Sequence, residues 1–348
     1  MKFGPIPLER AEGKILGHNI AGPDGQRLLR KGKALSPADI ATLRAMGHRS
    51  VYVAELEPGD IGEDDAARAL AALVMGGGLL ASFAGGGRMN LLAAQLGIVR
   101  VDGERLNRIN QIEGLTIATA ANHSAVAAKQ MAATIKIIPF AVPEPAIEAA
   151  RRICAECNDG IIRVDALPGR RVVMILSGMP SVRARVIGDF EPAMRARIEA
   201  LGSQLAAVDY VPLESEDDER ALAQALVRHA QAGAQLLILA GETAIMDRRD
   251  IVPRAIERAN GEVACFGAPV DPGNLLMVAY LGDLPILGAP GCARSRKVNV
   301  VDWVLPRLLA GDRLTRADIT SLGMGGLLEE IGERPRPRAA RPPQADPA

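Results

Sequence analysis

The chain has 348 residues, and its 41 lysines and arginines are balanced by 41 aspartates and glutamates, so the formal net charge is zero. Proteins that coat nucleic acid usually carry a basic excess, and the aromatic residues, at 3%, are too few for a surface that stacks on bases. Length and composition therefore argue against a nucleic-acid partner and favour a globular protein of two or three domains.

Targeting and redox signals are weak throughout the chain. No apolar stretch has the length needed to span a bilayer, and the N-terminal sequence MKFGPIPLER has no apolar segment after its lysine. We therefore expect no signal peptide and no membrane partner. Four scattered cysteines do not make a disulfide framework, so we expect a reduced, cytoplasmic protein.

Residues 1–60 predict a small α+β unit. Gly22–Gly25 is a turn signal. Ser36 and Pro37 are typical of a helix start, because serine caps the first turn and proline suits the first helical position. Gly47 ends this helix, and Ser50–Ala54 predicts a strand.

Residues 61–167 are rich in alanine and glycine and predict a second α+β region without recognisable chemistry. Helical spacing covers Asp64–Met75 and Pro145–Cys154, and a β-branched run predicts a strand over Thr134–Phe140. Cys154 and Cys157 have the spacing of a redox or zinc motif. Zinc needs further ligands that the sequence does not offer, so two packed helical cysteines are favoured.

Residues 168–312 alternate between strands and helices. The apolar runs Arg171–Leu176 and Gln235–Ala240 are typical of strands covered on both faces. The predicted helices are Asp189–Leu205, Glu219–Ala232, Ile251–Asn260 and Val298–Leu309, with short strands at 276–280 and 285–287. This order predicts a three-layer α/β domain with a mostly parallel sheet. A short C-terminal extension over 313–333 and a disordered, proline-rich tail over 334–348 are expected to follow.

Three loops in this domain follow predicted strands, and each combines glycine with small or hydroxyl residues. They begin at Ser177, Gly241 and Ala289. Ligands of open parallel sheets bind beyond the carboxyl ends of the strands, where glycine lets backbone amides approach an anion. A phosphate or a pterin-like group is the expected ligand, although ordinary strand-to-helix turns use the same residue types.

Two carboxylates, Asp247 and Asp250, follow the second loop. Placed beside a bound anion, they could hold a divalent cation or orient a water molecule. Asp250 is also placed to cap the helix that begins at Ile251, and the two roles are compatible.

Several segments resemble the molybdopterin-binding domain of molybdenum cofactor biosynthesis proteins. Leu237–Thr243 followed by Arg248–Pro253 looks like the family's strand, Gly-Gly-Thr-like loop and later Asp. The family's other elements are matched in order by Val173–Gly178, Asp271–Asn274 and Gly288–Ala293. The resemblance spans about 168–311. The segments Ala11–Leu16 and Leu43–Gly47 resemble the N-terminal part of multidomain molybdenum-insertion enzymes.

The resemblance implies the site residues. Those expected around the pterin phosphate and dithiolene are Ser177, Gly178, Gly241, Glu242, Thr243, Pro272, Gly273, Asn274, Pro290 and Gly291. Asp250 matches the family's functional aspartate, with Asp247 as a second carboxylate. The resemblance implies that both act in catalysis and that they organise Mg²⁺ or molybdate.

The sequence departs from the family's pattern at three positions. Glu242 stands where a second glycine is usual, Ala244 replaces a glycine or serine, and Cys292 replaces an asparagine. A glutamate there places negative charge beside a bound phosphate, unless it is turned away or holds the metal. These departures favour binding over turnover.

The function implied by the resemblance is molybdopterin binding in molybdenum cofactor biosynthesis or maturation. A catalytic version would transfer molybdate or a nucleotidyl group at the pterin phosphate or dithiolene. The alternatives are a non-catalytic carrier of the cofactor or its nucleotide form, and a nucleotide pyrophosphatase on the same fold. The carrier would serve a nucleotidyltransferase or a molybdoenzyme. Self-association is expected, as in the family.

Overall fold

The computed structural model describes residues 1–213 and 217–328. Two compact units make up the chain, the first over Met1–Leu167 and the second beginning at Pro168. The tail from Arg334, predicted to be disordered, lies outside the described residues. Within the described ranges, the helices are all too short or too polar to cross a membrane.

The first unit is built mainly from antiparallel strands. Its strands are β1 (Lys2–Pro7), β2 (Ile15–Leu16), β3 (Ile20–Ala21), β4 (Arg27–Leu29), β5 (Ser50–Glu55), β6 (Asp60–Gly62), β7 (Leu79–Phe83), β8 (Arg88–Ala93), β9 (Gly97–Val101), β10 (Leu115–Thr119), β11 (Ala125–Val126), β12 (Met131–Ile137), β13 (Ala141–Pro143) and β14 (Ile162–Ala166). Its helices are α1 (Pro37–Ala45), α2 (Glu63–Val74), α3 (Gly103–Asn110) and α4 (Glu144–Cys154).

The start of α1 confirms the predicted cap. The Ser36 hydroxyl accepts a hydrogen bond from the Asp39 backbone N–H at 3.2 Å, and the Asp39 carboxylate accepts one from the Ser36 N–H at 2.9 Å. This reciprocal pair satisfies two backbone donors that a helix start otherwise leaves without partners. The helix then buries Leu43 against Leu16 and Val53 of the sheet β1–β5–β2.

A larger core occupies the rest of the first unit. The sheets β10–β12–β8–β7 and β11–β9–β14 contribute buried residues such as Leu91, Ile135 and Val99, and α2 contributes Leu70. Cys154 packs against this core, and its thiol is not part of a disulfide. Burial and the neighbouring Cys157 raise the pKa of the Cys154 thiol to about 11, as expected for a packed rather than a reactive cysteine.

The second unit alternates strands and helices over most of its length. Its elements are β15 (Arg171–Gly178), α5 (Arg183–Ala200), β16 (Gln204–Pro212), α6 (Asp217–Gln231), β17 (Leu236–Gly241), α7 (Ile251–Arg258), β18 (Glu262–Phe266), β19 (Met277–Leu281), β20 (Leu284–Gly288), α8 (Val300–Ala310) and α9 (Arg316–Thr320).

One six-stranded sheet organises the second unit, in the order β16–β15–β17–β20–β19–β18. The first four of these strands are parallel, β19 runs antiparallel to β20, and β18 pairs antiparallel with β19 and so has the direction of the first four. Val173 and Ile175 point into a core shared with α6 and α7, while Met174 and Leu176 point to the opposite face and are also buried. The sheet is therefore covered on both faces, which confirms the α/β fold class.

The boundaries near β16 differ from the sequence prediction. The helix expected over Asp189–Leu205 runs from Arg183 to Ala200, because Met179–Val182 passes through a one-turn 3₁₀ helix directly into it. Gln204–Pro212 is an edge strand whose side chains are mostly half-buried. Without a continuous apolar run, such a strand gives a weak signal in the sequence.

Candidate functional site

The carboxyl ends of β15, β17 and β20 lie side by side at one edge of the sheet. Ser177 is in register with Gly241, and Leu239 is in register with Gly288. Each strand is followed by a loop and then by a helix, so α5, α7 and α8 all begin at this edge. The start of a helix carries a partial positive charge, and three such starts at one edge favour an anionic ligand.

The backbones of β15 and β17 approach each other closely where they end. An ideal Cβ on Gly241 would lie 2.6 Å from the Ser177 Oγ and 2.7 Å from the Ser177 carbonyl oxygen, so only glycine fits there. The Glu242 N–H donates to that carbonyl oxygen at 2.8 Å, and the buried Ser177 hydroxyl donates to the Ala240 carbonyl at 3.4 Å. Ser177, Gly178, Gly241 and Glu242 therefore form one contact group.

Glu242 holds the backbone amide that follows β15. Its Oε2 accepts from the Met179 N–H at 3.2 Å, and its Oε1 accepts from the Arg185 guanidinium at 3.1 Å. The Tyr210 hydroxyl donates to the Met179 carbonyl at 2.8 Å, and burial together with the Glu242 charge raises the pKa of Tyr210. The Glu242 carboxylate therefore accepts a hydrogen bond from a backbone N–H group in a loop that was expected to bind a phosphate.

Two residues of this group, Arg185 and Tyr210, were absent from the sequence prediction. Tyr210 lies on β16, and Arg185 lies in the first turn of α5. Both were missed because α5 was predicted to begin at Asp189 and β16 was not predicted. The available signal was Pro180, which follows the Ser177 loop and is typical of a helical first turn.

The loop after β17 is ordered by Asp250. Its Oδ2 accepts from the backbone N–H groups of Met246 at 2.6 Å and Asp247 at 3.0 Å. Asp250 stands at the N-cap of α7, as expected, but its side chain makes no hydrogen bond to that helix. The carboxylate instead closes the preceding turn, and the Asp247 Oδ1 accepts from the Arg249 N–H at 2.8 Å. Thr243 in the same loop is exposed.

The two Pro-Gly segments meet at the start of α8. The Pro272 carbonyl accepts from the Val300 N–H at 3.2 Å, and a Cβ on Gly273 would lie 2.4 Å from the Val300 Cβ. Asn299, which caps α8, donates through its amide to the Cys292 carbonyl at 3.3 Å. Pro290 and Gly291 directly precede Cys292, so both segments are anchored to one helix start. The Asn274 carbonyl accepts from the Ala268 N–H within the same turn.

Packing also links the second loop to the end of β20. A Cβ on Gly288 would lie 3.2 Å from the Ile245 side chain, which places the loop over 242–250 beside this strand. Burial raises the pKa of the Cys292 thiol, so this cysteine of the neighbouring loop is not an activated thiolate. The structure thus brings the loops of the predicted site to one edge.

The residues present do not form a metal site by themselves. In the described ranges, no group of three or more His, Cys, Asp or Glu side chains is close enough to hold an ion. One carboxylate oxygen of Asp250 and one of Asp247 are already engaged by backbone N–H groups. The Mg²⁺ expected at these two carboxylates is therefore unsupported.

Comparison with known sequences gives one family match. Residues 5–55 match the model of a domain of unknown function, DUF8806. The chain has no match among curated protein sequences.

Comparison with solved structures finds molybdenum cofactor biosynthesis proteins. A molybdenum cofactor biosynthesis protein from Pyrococcus furiosus is 13% identical, with a TM-score of 0.23, and the match covers 92% of this chain but only 65% of that one. The molybdopterin biosynthesis MoeA protein from Pyrococcus horikosii is 14% identical, with a TM-score of 0.30 and coverage of 89% and 75%. Molybdenum cofactor biosynthesis protein B is 13% identical, with a TM-score of 0.26 and coverage of 42% and 89%.

Proposed function

We propose that the second unit binds molybdopterin and that the protein acts in molybdenum cofactor biosynthesis or maturation. One observation carries the proposal: the close-packed loops that follow β15, β17 and β20 share one sheet edge with the starts of α5, α7 and α8. Backbone amides and helix starts at such an edge suit a phosphate group. The motifs over 168–311 support a phosphorylated pterin as the ligand.

Arginines at this edge add to the attraction for an anion. Arg185 and Arg294 lie at the start of α5 and in the loop after β20, while Arg249 in the loop after β17 is 95% exposed. Arg249 and Arg294 attract the phosphate to this edge, and Asp250 holds the loop over 242–250 in one conformation. Ser177 and Gly241 form the floor on which the ligand rests.

A second candidate, a non-catalytic carrier, is favoured by Glu242. Its carboxylate accepts the Met179 N–H and pairs with Arg185, so this amide and this cation are already occupied. Together with the lack of a metal-binding cluster in the described residues, this arrangement favours holding the cofactor over transfer at its phosphate. A carrier would deliver the cofactor to a nucleotidyltransferase partner or a molybdoenzyme.

Titration of the protein with purified molybdopterin, in the presence of ATP, CTP and molybdate, tests the proposal. The variant is Asp250→Asn, which keeps one acceptor oxygen for the loop but loses the charge. The control is Asp283→Asn, a fully exposed carboxylate between β19 and β20. We expect wild type and control to bind alike, with no consumption of nucleotide or molybdate if the protein is a carrier.

Consumption that Asp250→Asn abolishes would instead identify a transferase and place Asp250 in its reaction. Cleavage of ADP-ribose without any pterin would identify a pyrophosphatase. A wild-type protein that does not bind molybdopterin would contradict the proposal in both versions.

A further inference from the structure

The first unit contains a cavity of about 600 Å³ that the proposed function does not use. Four segments surround it: the turn at Arg30–Gly32, the first two residues of α2, the turn at Ala84–Arg88 between β7 and β8, and the end of β12 with the residues up to Phe140. Small-molecule sites commonly have volumes of this order. The cavity is therefore large enough for a metabolite.

The turn between β7 and β8 is held in one shape. Gly85, Gly86 and Gly87 have φ values of +77°, +58° and +67°, a run of backbone conformations that L side chains rarely adopt. The Gly87 N–H donates to the Asp64 carboxylate at 2.7 Å, and the Lys136 ammonium donates to the Gly86 carbonyl at 2.8 Å. The cavity wall is thus built before any ligand arrives.

Basic side chains outnumber acidic ones around the cavity. The basic residues in its lining are Arg30, Lys31, Arg88 and Lys136, and the acidic ones are Glu63 and Asp64. Both carboxylates already have partners inside the protein, since Glu63 accepts from Lys136 at 3.2 Å and Asp64 accepts from the Gly87 N–H. The excess positive charge therefore remains available to a ligand.

Three of the cations lack a carboxylate partner within the described part of the chain: Arg30, Lys31 and Arg88. Arg88 also lies directly opposite Lys136 across the β8–β12 pair. Like charges at directly opposed positions of two strands are destabilising. An anion bound between these side chains would relieve that repulsion.

An apolar wall completes the cavity. The side chain of Ile138 is 62% exposed, and the half-buried Phe140 ring lies close to Gly32, whose ideal Cβ would be 3.6 Å from it. Phe140 is also stacked with Phe3, with ring centroids 6.4 Å apart, which fixes its position. An exposed apolar side chain beside free cations suits a ligand with an anionic end and a planar end.

We propose that this cavity binds a phosphorylated metabolite that carries a planar ring. The phosphate groups contact Arg30, Lys31 and Arg88, and the ring lies against Ile138 and Phe140. The backbone of the anchored glycine turn fixes the distance between these two parts. This site lies within the first unit and does not depend on molybdopterin binding by the second.

Isothermal titration of the full-length protein with ADP and with pyrophosphate tests the proposal. We expect both probes to bind and ADP to bind more tightly, because only ADP has a ring for the apolar wall. Arg88→Ala and Arg30→Ala should each lower the affinity for both probes by about tenfold or more, because each removes a charged hydrogen bond. Ile138→Ala should weaken the binding of ADP alone. Because Ile138 is exposed, this substitution should not disturb folding.

Two controls locate the binding. Arg27→Ala removes an exposed arginine of β4 that does not line the cavity, and Arg313→Ala removes an exposed arginine that follows α8 in the second unit. Both should leave the affinities unchanged. The proposal is overturned if neither probe binds, or if Arg88→Ala and Arg30→Ala bind as wild type does. Equal affinities for ADP and pyrophosphate would contradict the proposed contact of the ring with Ile138 and Phe140.

Discussion

Glu242 shows how one residue changes a site whose backbone stays in place. The glutamate follows the glycine that β17 needs for its contact with Ser177, and its carboxylate turns back to the Met179 N–H and Arg185. The side chain is 21% exposed, so water screens its charge only in part. A phosphate that approaches this amide must compete with a carboxylate already bound there.

Removal of this charge is expected to tighten the binding of a phosphorylated ligand. Glu242→Gln abolishes the repulsion and weakens the hold on Arg185, so the affinity for molybdopterin should rise about fivefold to tenfold, equivalent to about 1 kcal/mol. Isothermal titration at neutral pH measures the change.

The matched control for this change is Glu262→Gln, a 76% exposed carboxylate of β18 in the same unit. The affinity of Glu262→Gln for molybdopterin should equal that of wild type. Weaker binding by Glu242→Gln would mean that the carboxylate supports the ligand, for example through a bound cation, rather than opposing it.

At the scale of the element, helix α1 is stabilised by a charged cap. The Lys33 ammonium, the Ser36 hydroxyl and the Ser36 N–H all donate to the Asp39 carboxylate. These hydrogen bonds, led by that from Lys33, lower the pKa of Asp39 from its ordinary value of 3.8 to about 2. The stability that this cap gives to the start of α1 therefore depends on pH.

Asp39→Asn should lower the free energy of unfolding of the first unit by about 1 kcal/mol at neutral pH, a typical effect at a helix start. Because the pKa in the folded state lies below that in the unfolded state, the stabilisation is complete above about pH 4 and is lost as the pH falls toward 2. Urea unfolding of wild type and variant, followed by circular dichroism between pH 5 and 2, measures the difference.

The control for the cap is Asp65→Asn, a 78% exposed carboxylate in the first turn of α2. Asp65→Asn should change the free energy of unfolding only slightly. This change should not decrease between pH 5 and 2 in the way expected for Asp39→Asn. A difference between wild type and Asp39→Asn that stays constant down to pH 2 would contradict the linkage.

Elements with strong local signals were predicted well, and the edge strands were not. The buried strands β15 and β17 and the capped helix α1 lie within a residue or two of their predicted bounds, because a continuous apolar run and a Ser-Pro start are local features. Strands β16 and β18, at the two edges of the sheet, were missed. They are paired on one side and partly exposed, so no local pattern marks them.

On the scale of the whole molecule, the buried clusters of each unit are drawn from that unit's own residues. Leu70 and Ile135 belong to a cluster drawn from the first unit, and Ile175 and Leu226 belong to one drawn from the second. Each unit also exceeds the ~100–150 residues at which single domains are most common. We therefore expect each unit to fold without residues of the other.

A fragment over 168–348 is expected to unfold cooperatively in urea with a midpoint close to that of the same unit in the full-length chain. The only tryptophan, Trp303, lies on α8, so its fluorescence follows the second unit in both proteins. Circular dichroism of a fragment over 1–167 supplies the companion measurement. A shallow, non-cooperative fluorescence change in the isolated fragment would show that the second unit needs the first.

Local sequence by itself determined the strands that are buried on both faces, the capped helix and the glycine-containing loops, because each depends on neighbours within a few residues. The α/β class of the second unit followed from the order of these elements. Tertiary structure alone decided that the Glu242 carboxylate binds the Met179 amide and Arg185, since these residues lie 63 and 57 positions away along the chain. It also decided that Arg30 and Arg88 line one cavity, because strand pairing and side-chain packing, unlike local periodicity, act between residues that are distant in sequence.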